Sequence, residues 1–562
     1  MFLNKNVRLA YAGNSAPGNS DSSSRRKGLT LFDSGNGETE DFNAFGSSAE
    51  TEEPKKPKKG QDNGKKKGDG IEINGKSLII AIAAVVAVVL LIVLIVAIAN
   101  AGGKDIKYED NTFASYEDGN GSYHVAMNGY VLGKAFDNAI TVHTSADRSF
   151  AYVVEDADDG YSVYILENKK LTLIVDGITE VLAYAGFTPG LVYNEGGSYY
   201  HYYDGGSERI TKDSTSSDFV ISDDGTTVAY TTVSEDNASN YNLYVFSDGI
   251  SEKYAKNLTP VAIAQKGKYI YAYGVYSSND GAIINKLYVL TEEDKIQVDF
   301  GGDYSFTGIS YMNVKGDELL IYTGDLENGY ASFVYSVKAN TATRISKGIC
   351  TPLTADNSIV QLATLKKALV NDGISNATYY IDKAYSVVRI SNYSGKIEPS
   401  GKYFYYINSE NTLYRIDITN ESGDSEQIDE DVVDFAVTQK GNVYYLNDEG
   451  RLTFQKRLST KGQKIADDVV SMVMYDYSNT LYFEIEDTTK TYCTKEGSAR
   501  EPVTFDSVTV TSLPDFDATF SKRSFAYFYD EDGDCYKIFY TSNGKSFKTV
   551  VSEAYSVNGM QE

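Results

Sequence analysis

The side chains that could do chemistry are few in this chain, and their spacing does not favour catalysis. There are only three histidines, His124, His143 and His201, and no two of them have the spacing of metal ligands on one strand or helix. The sequence contains no G-x-S-x-G, H-E-x-x-H or P-loop motif, which would indicate a serine nucleophile, a zinc site or a phosphate-binding loop. We therefore predict no catalytic residue, no metal ligand and no bound cofactor.

Three acidic turns resemble calcium-binding loops in composition. The first, DEDGDC at Asp530–Cys535, has carboxylates at alternate positions. An EF-hand needs glycine at its sixth position and glutamate at its twelfth, where this chain has Cys535 and Thr541. The turns at Glu155–Gly160 and Ser234–Asn240 are similar. Because aspartate caps its own turn, we interpret all three as solvated hairpin turns.

Cysteine usage gives no sign of a disulfide framework or a metal site. Cys350, Cys493 and Cys535 are widely separated, and no C-x-x-C pair occurs. Because the count is odd, at least one thiol is expected to be unpaired.

The elements that would position these side chains are short strands that recur along the chain. One half of the repeat is a turn followed by an apolar strand that ends near tyrosine, and a second apolar strand follows. The clearest copies of the first half are Ser222–Thr232, Gln265–Gly274, Val314–Gly324, Pro399–Asn408 and Gln439–Asn447. With less regular copies, including Ala377–Ser391, they form ten units about 42 residues apart.

This spacing and the alternating apolar pattern predict an all-β chain folded as a β-propeller. A four-stranded blade takes ~40 to 50 residues, and stacking small sheets around an axis buries the apolar faces of each. Only Ile359–Val370 approaches a helical period, and it is compatible with a short helix or a strand. Ten units exceed the usual four to eight blades. We favour one ring of seven or eight blades, with two smaller propellers as the alternative.

The unit SDDGTTVAY at Ser222–Tyr230 resembles the S-P-D-G repeat of TolB-like and WD-repeat-like β-propellers. Asp223 replaces the proline, and most other copies keep only the glycine. The arrangement of a Lys-rich tail, an apolar segment and a Tyr-rich, Trp-free repeat region also resembles uncharacterised membrane-anchored proteins of Gram-positive gut clostridia. This resemblance implies a fold and a location at the cell surface, and it implies no activity.

The segment Ser77–Ala99 contains 23 residues without a charge, a proline or a glycine. As a helix it would span roughly 35 Å, enough to cross a bilayer core of ~30 Å. A cleaved signal peptide fits poorly, because the segment begins after 76 residues and is longer than a signal peptide's apolar run. Lysines concentrate before this segment, at Lys55–Lys67 and Lys76. We therefore predict a single span with a cytoplasmic N-terminus and an extracytoplasmic C-terminal domain.

The predicted domains are a disordered cytoplasmic tail (1–76), the transmembrane helix (77–99), a linker (100–111) and the propeller (112–562). The tail has too few apolar side chains to offset the entropy of ordering. Its Lys55–Lys67 run is expected to contact anionic lipid of the inner leaflet.

Charge limits the partners of the predicted outer domain. The tail carries 13 basic and 11 acidic residues, so the remainder holds 39 basic against 67 acidic residues. Such a surface repels nucleic acid and anionic lipid. A protein, peptide or glycan remains as the unknown ligand.

Two functions are compatible with this sequence: a non-catalytic binding or sensing module, which we favour, and a cell-envelope glycan lyase, hydrolase or peptidase. Arg, His, Tyr and Glu converging at the ring mouth would favour the enzyme, and a mouth lined by aromatic faces would favour binding. Recognition is expected in the variable segments between repeats, such as Ser234–Asn240, Tyr276–Ile284 and Asp325–Tyr330.

Overall fold

A computed structural model describes residues 108–558, except for 236, 278–281, 326–328, 355–361, 419–424 and 458. The predicted tail and the predicted span at Ser77–Ala99 lie outside the described residues. Within the described ranges, no helix is long and apolar enough to cross a membrane. The helical segments there are two short 3-10 turns, Gln265–Gly267 and Asp476–Ser478.

The described residues form eleven four-stranded antiparallel sheets, which we number as blades 1 to 11. Blade 1 joins three strands from the start of this region, β1 (Phe113–Glu117), β2 (Tyr123–Met127) and β3 (Tyr130–Val131), to the last strand, β46 (Ser556–Asn558). The other ten blades each use four consecutive strands.

Blades 2 to 6 follow one another along the chain. Their strands are β4 (Ile140–Thr144), β5 (Ala151–Ala157), β6 (Gly160–Glu167) and β7 (Lys170–Ile178) in blade 2; β8 (Glu180–Tyr184), β9 (Gly190–Glu195), β10 (Ser198–Tyr203) and β11 (Gly206–Thr211) in blade 3; β12 (Ser217–Ile221), β13 (Thr227–Ser234), β14 (Asn237–Ser247) and β15 (Ile250–Lys256) in blade 4; β16 (Thr259–Ile263), β17 (Ile270–Ser277), β18 (Ile283–Leu290) and β19 (Lys295–Gln297) in blade 5; and β20 (Ser305–Met312), β21 (Glu318–Asp325), β22 (Gly329–Ser336) and β23 (Thr341–Ser346) in blade 6.

Blades 7 to 11 have the same order, with one inserted strand pair. Their strands are β24 (Cys350–Leu353), β25 (Leu369–Asp372), β26 (Thr378–Ile381) and β27 (Val387–Ser391) in blade 7; β28 (Gly395–Ile397), β29 (Tyr403–Ile407), β30 (Leu413–Asp417) and β31 (Ser425–Asp429) in blade 8; β32 (Val432–Val437), β33 (Val443–Asn447), β34 (Leu452–Gln455) and β35 (Gly462–Ala466) in blade 9; β36 (Val469–Tyr475), β37 (Thr480–Ile485), β38 (Thr491–Lys495) and β39 (Glu501–Pro502) in blade 10; the inserted pair β40 (Thr504–Phe505) and β41 (Val508–Thr509); and β42 (Asp515–Phe516), β43 (Ser524–Asp530), β44 (Cys535–Thr541) and β45 (Lys548–Ala554) in blade 11.

Burial follows the position of a strand within its blade. The second strand of blade 4 is buried over six consecutive residues, Thr227–Thr232, whereas its fourth strand, Ile250–Lys256, contains no buried residue. Neighbouring blades pack face to face, as where Phe113 and Val125 of blade 1 meet Val153 of blade 2. The cores therefore lie between blades, and the fourth strands form the outer rim.

Pairing of β46 with β1 closes the ring. Tyr116 is opposite Val557, and Glu117 is opposite Ser556. Blade 11 packs against this closing sheet, blade 1, through an apolar cluster that includes Ala126 and Phe525. The all-β fold and the propeller architecture are confirmed.

The predicted count of seven or eight blades is wrong, because the ring has eleven. The ten sequence units correspond to blades 2 to 11. In blade 1 the first strand is β46 and the second is β1. No turn joins them, because they come from opposite ends of the region. A search based on that turn cannot find it. In the ambiguous Ile359–Val370 segment, Leu369 and Val370 belong to a strand that continues to Asp372.

Buried tyrosines connect successive blades by hydrogen bonds to the turn of the next blade. The Tyr152 hydroxyl donates to the Gly190 carbonyl at 2.7 Å, and the Tyr475 hydroxyl donates to the Ser521 carbonyl at 2.6 Å. Tyr271 bonds in the same way to the carbonyl of Gly316. Burial raises the pKa of each of these tyrosines, so the hydroxyls stay protonated donors. At Tyr152 and Tyr271, the recurring tyrosine and the turn glycine of the sequence repeat are thus two halves of one junction.

A substitution pair tests how closely the turn of blade 6 packs against blade 5. Gly316 and Gly401 occupy equivalent turns with φ of 65° and 70°. A Cβ at Gly316 would lie 2.3 Å from the Ala264 Cβ, whereas nothing lies within 4 Å of one at Gly401. We expect Gly401→Ala to cost about 1 to 2 kcal/mol, from the left-handed backbone alone, and Gly316→Ala to cost ~1 to 3 kcal/mol more because of the steric overlap. Denaturant unfolding measures both. Equal losses in the two variants would contradict this account.

A buried carboxyl group lies near the ring closure, on the turn that follows β42. The Asp517 Oδ1 accepts hydrogen bonds from the Ser524 hydroxyl (2.7 Å) and the Phe525 amide (2.6 Å), and its Oδ2 is buried without a hydrogen-bond partner. Burial raises the pKa of Asp517 to about 6, although Arg148 of blade 2 opposes the shift.

We predict that this carboxyl group makes stability fall as the pH rises. The unfolded chain loses the Asp517 proton near pH ~4, before the folded chain does. The stabilising effect is therefore complete below pH ~4 and is lost as the pH rises through about 6, by roughly 3 kcal/mol. Asp517→Asn should remove that loss. The measurement is the difference in unfolding free energy between wild type and variant at pH 4 and pH 7. An unchanged difference would show that Asp517 does not titrate as proposed.

Candidate functional site

The two faces of the ring carry different connections. Because the strands of a blade alternate in direction, the second-to-third turn shares an edge with the connection to the next blade. We call this side the loop face; in blade 9 it contains Asp448 and Asp431. The opposite side, the turn face, contains the first-to-second turns, such as that at Gly316, and the third-to-fourth turns.

The three variable segments singled out in the sequence all belong to the loop face. They are the second-to-third connections of three successive blades, Ser234–Asn240 in blade 4, Tyr276–Ile284 in blade 5 and Asp325–Tyr330 in blade 6. Residues 236, 278–281 and 326–328 within them lie outside the described residues. The fold thus places these segments on adjacent blades of one surface.

The described ends of these hairpins expose apolar side chains. Val275 and Ile283 of blade 5 are 54% and 65% exposed, and Tyr330 of blade 6 is 42% exposed. Val233 of blade 4 is also exposed. These four side chains lie on the hairpins of three successive blades.

A cleft of about 670 Å³ opens on the same face between blades 8 and 9. Five of its lining residues are acidic: Asp429, Glu430, Asp431, Asp448 and Glu449. The first three connect the two blades, and the other two form the second-to-third turn of blade 9. The Asp448 amide donates to the Asp431 carbonyl at 2.9 Å, which joins the two acidic segments.

The two basic residues of this cleft are already paired with carboxylates. Arg451 lies 3.7 Å from Glu449 and 3.8 Å from Asp467, and Lys464 also forms an ion pair with Asp467. At the cleft wall, the buried Tyr445 hydroxyl contacts Asp429, and burial together with this bond raises the Tyr445 pKa. The cleft therefore offers negative charge and neutral hydrogen-bonding groups.

A smaller cleft of about 230 Å³ lies between blades 2 and 3, beside their first strands. Its lining includes His143, Tyr161, Glu180 and Tyr184. The rings of His143 and Tyr184 are 4.9 Å apart, inclined by 31°. This cleft brings together three residue types of the predicted enzymatic cluster, and no arginine is among its described lining residues.

The three histidines lie in three different blades. Hydrogen bonding by His124, 3.0 Å from Asp118, lowers the pKa of that carboxyl group to about 2. His201 is buried with its Nε2 2.7 Å from the Gly225 carbonyl oxygen, and burial lowers its pKa. His143 lines the smaller cleft. Across the described ranges, no group of three or more His, Cys, Asp or Glu side chains could hold a metal ion.

Carboxylates in two of the acidic turns are bonded to other side chains, and the cysteines are not in disulfides. Asp530 forms an ion pair with Lys537, and Glu155 accepts hydrogen bonds from Asn138 and Tyr164, each at 3.2 Å. The three cysteines are free thiols in blades 7, 10 and 11. Burial raises the pKa of Cys350 and of Cys493 to about 11, so neither is a ready nucleophile.

No protein-family model and no curated protein matches the chain. Solved structures are similar to it at low scores. The tricorn protease shows 12% identity over 76% of this chain and 49% of that chain, with a TM-score of 0.23. Oligogalacturonate lyase from Vibrio parahaemolyticus shows 9% identity over 63% of this chain and 96% of that chain, with a TM-score of 0.30. TolB from Acinetobacter baumannii shows 12% identity over 42% of this chain and 63% of that chain, with a TM-score of 0.25. The chain thus spans about half the length of the tricorn protease. The fold assignment depends on strand topology, and these scores carry no argument about function.

Proposed function

We propose that this protein is a single-pass membrane protein whose propeller lies outside the cytoplasm and acts as a non-catalytic binding module. The observation that carries the proposal is that three variable hairpins and the acidic cleft share the loop face. The turn face, by contrast, carries the bonds from buried tyrosines to the turn of the next blade. A rigid scaffold with its variation on one face is typical of recognition proteins.

The ligand of the acidic cleft is proposed to be a basic peptide segment of a protein. The cleft has five acidic residues against two basic ones, and both basic side chains are paired. The whole chain has a net charge of −26, which would speed the approach of a cationic partner. Within the described residues, the cleft contains no histidine, cysteine or serine that could act as a nucleophile.

A charge-removal pair tests this ligand. We expect Asp431→Asn with Asp448→Asn to weaken binding of a fluorescent hexalysine peptide roughly fivefold, because each exposed ion pair contributes ~0.2 to 1 kcal/mol. Fluorescence anisotropy at two salt concentrations measures this. Asp204→Asn with Asp248→Asn is the control, because it removes the same charge from exposed turns on the turn face. Equal weakening in both pairs would indicate general charge attraction, and turnover of peptide or glycan substrates would favour an enzyme.

The proposed topology depends on the apolar segment Ser77–Ala99 and on the lysines before it. Protease added to intact cells or protoplasts should digest the propeller and spare an epitope placed near Phe2. Lysing the cells should make that epitope accessible, which is the control. Protection of a C-terminal tag in intact cells would exclude this orientation.

A further inference from the structure

The smaller cleft between blades 2 and 3 is separate from the acidic cleft of blades 8 and 9. We propose that it is a second binding site, which takes the alkylammonium group of a ligand. A cation-binding cage needs aromatic faces held in place, a nearby carboxylate and the absence of competing positive charge. Among its described lining residues the cleft has aromatic rings and a carboxylate, and it has no lysine or arginine.

Three rings from two blades line the cleft. His143 comes from the first strand of blade 2, Tyr161 from its third strand, and Tyr184 from the first strand of blade 3. The Tyr184 ring packs against both His143 and Tyr152, with 4.9 Å between ring centres in each pair. Because the Tyr152 hydroxyl is bonded to Gly190, the junction between the blades holds Tyr184 in position.

The electrostatics of the cleft favour a cation. The face of an aromatic ring is negative, and it attracts an ammonium group within ~6 Å of its centre. Burial and the neighbouring Tyr161 raise the pKa of Tyr184, so this ring stays a neutral phenol. Glu180 is an exposed carboxylate at the cleft, and no lysine or arginine is among the described residues that line it.

The size and remaining walls of the cleft suit a small organic cation. Val154 and Val181 supply apolar contacts for alkyl groups around the nitrogen. At about 230 Å³, the cleft is smaller than the ~300 to 1,000 Å³ of pockets for drug-sized ligands. A trimethylammonium group, free or on a lysine side chain, combines the charge and the apolar surface that these walls would contact.

The test uses the full-length protein in a maltoside detergent, which contains no ammonium group. We expect choline to bind, as measured by isothermal titration calorimetry, and its neutral isostere 3,3-dimethylbutan-1-ol to bind at least tenfold more weakly. Tyr161→Leu should weaken choline binding at least tenfold, Tyr161→Phe should leave it unchanged, and Glu180→Gln should weaken it about threefold. Glu208→Gln, an exposed carboxylate on the fourth strand of blade 3, is the control and should have no effect.

The outcomes separate this site from the acidic cleft. Equal binding of the isostere, or unchanged choline binding in Tyr161→Leu with an unchanged melting temperature, would overturn the proposal. Choline binding should survive Asp431→Asn with Asp448→Asn, because the two clefts lie on different blades. A trimethyl-lysine peptide that binds more tightly than choline would identify a peptide as the source of the ammonium group, and the reverse would identify a small molecule. Either result supports the site.

Discussion

The structure depends on the junction between successive blades, where a buried tyrosine hydroxyl meets the turn of the next blade. At the junction of blades 2 and 3 this bond satisfies a carbonyl and an amide at once, because Gly190 both accepts from and donates to the Tyr152 hydroxyl. A buried polar group left without its partner costs about 1 to 3 kcal/mol. Wherever such a bond occurs, it fixes a strand of one blade against the turn of the next.

The three variable segments between the repeats of this chain lie on the face opposite these junctions. The turn face is occupied by short hairpins whose backbone groups bond to neighbouring blades, as in the contact between the Phe187 amide and the Asp223 carbonyl at 2.7 Å. On the loop face, the hairpin of blade 5 extends into strands of eight residues, Ile270–Ser277 and Ile283–Leu290, without disturbing the junctions. The acidic cleft opens on this same face.

Sequence reasoning found the repeat because its physical causes are local. In five units a glycine with positive φ and an apolar strand with tyrosine recur within about ten residues, and the even spacing of these units locates the others. The closing sheet was not visible, because Tyr116 and Val557 meet only in the folded ring. The same limit applies to the acidic cleft, where Asp431 and Asp448 are brought together by the pairing of Val432 with Asn447. The sequence signal for this cleft is a pair of acidic clusters. One precedes β32, and the other follows β33, the strand with which β32 pairs.

The residues of the smaller cleft show why composition alone misjudges function. The sequence does not show that His143, Tyr161 and Tyr184 line one cleft, because they come from three different strands. In the ring, the tyrosine that fixes the junction of blades 2 and 3 also supports Tyr184, so one buried contact serves both stability and the shape of the cleft. A ligand that bound between two blades would add its binding free energy to that junction.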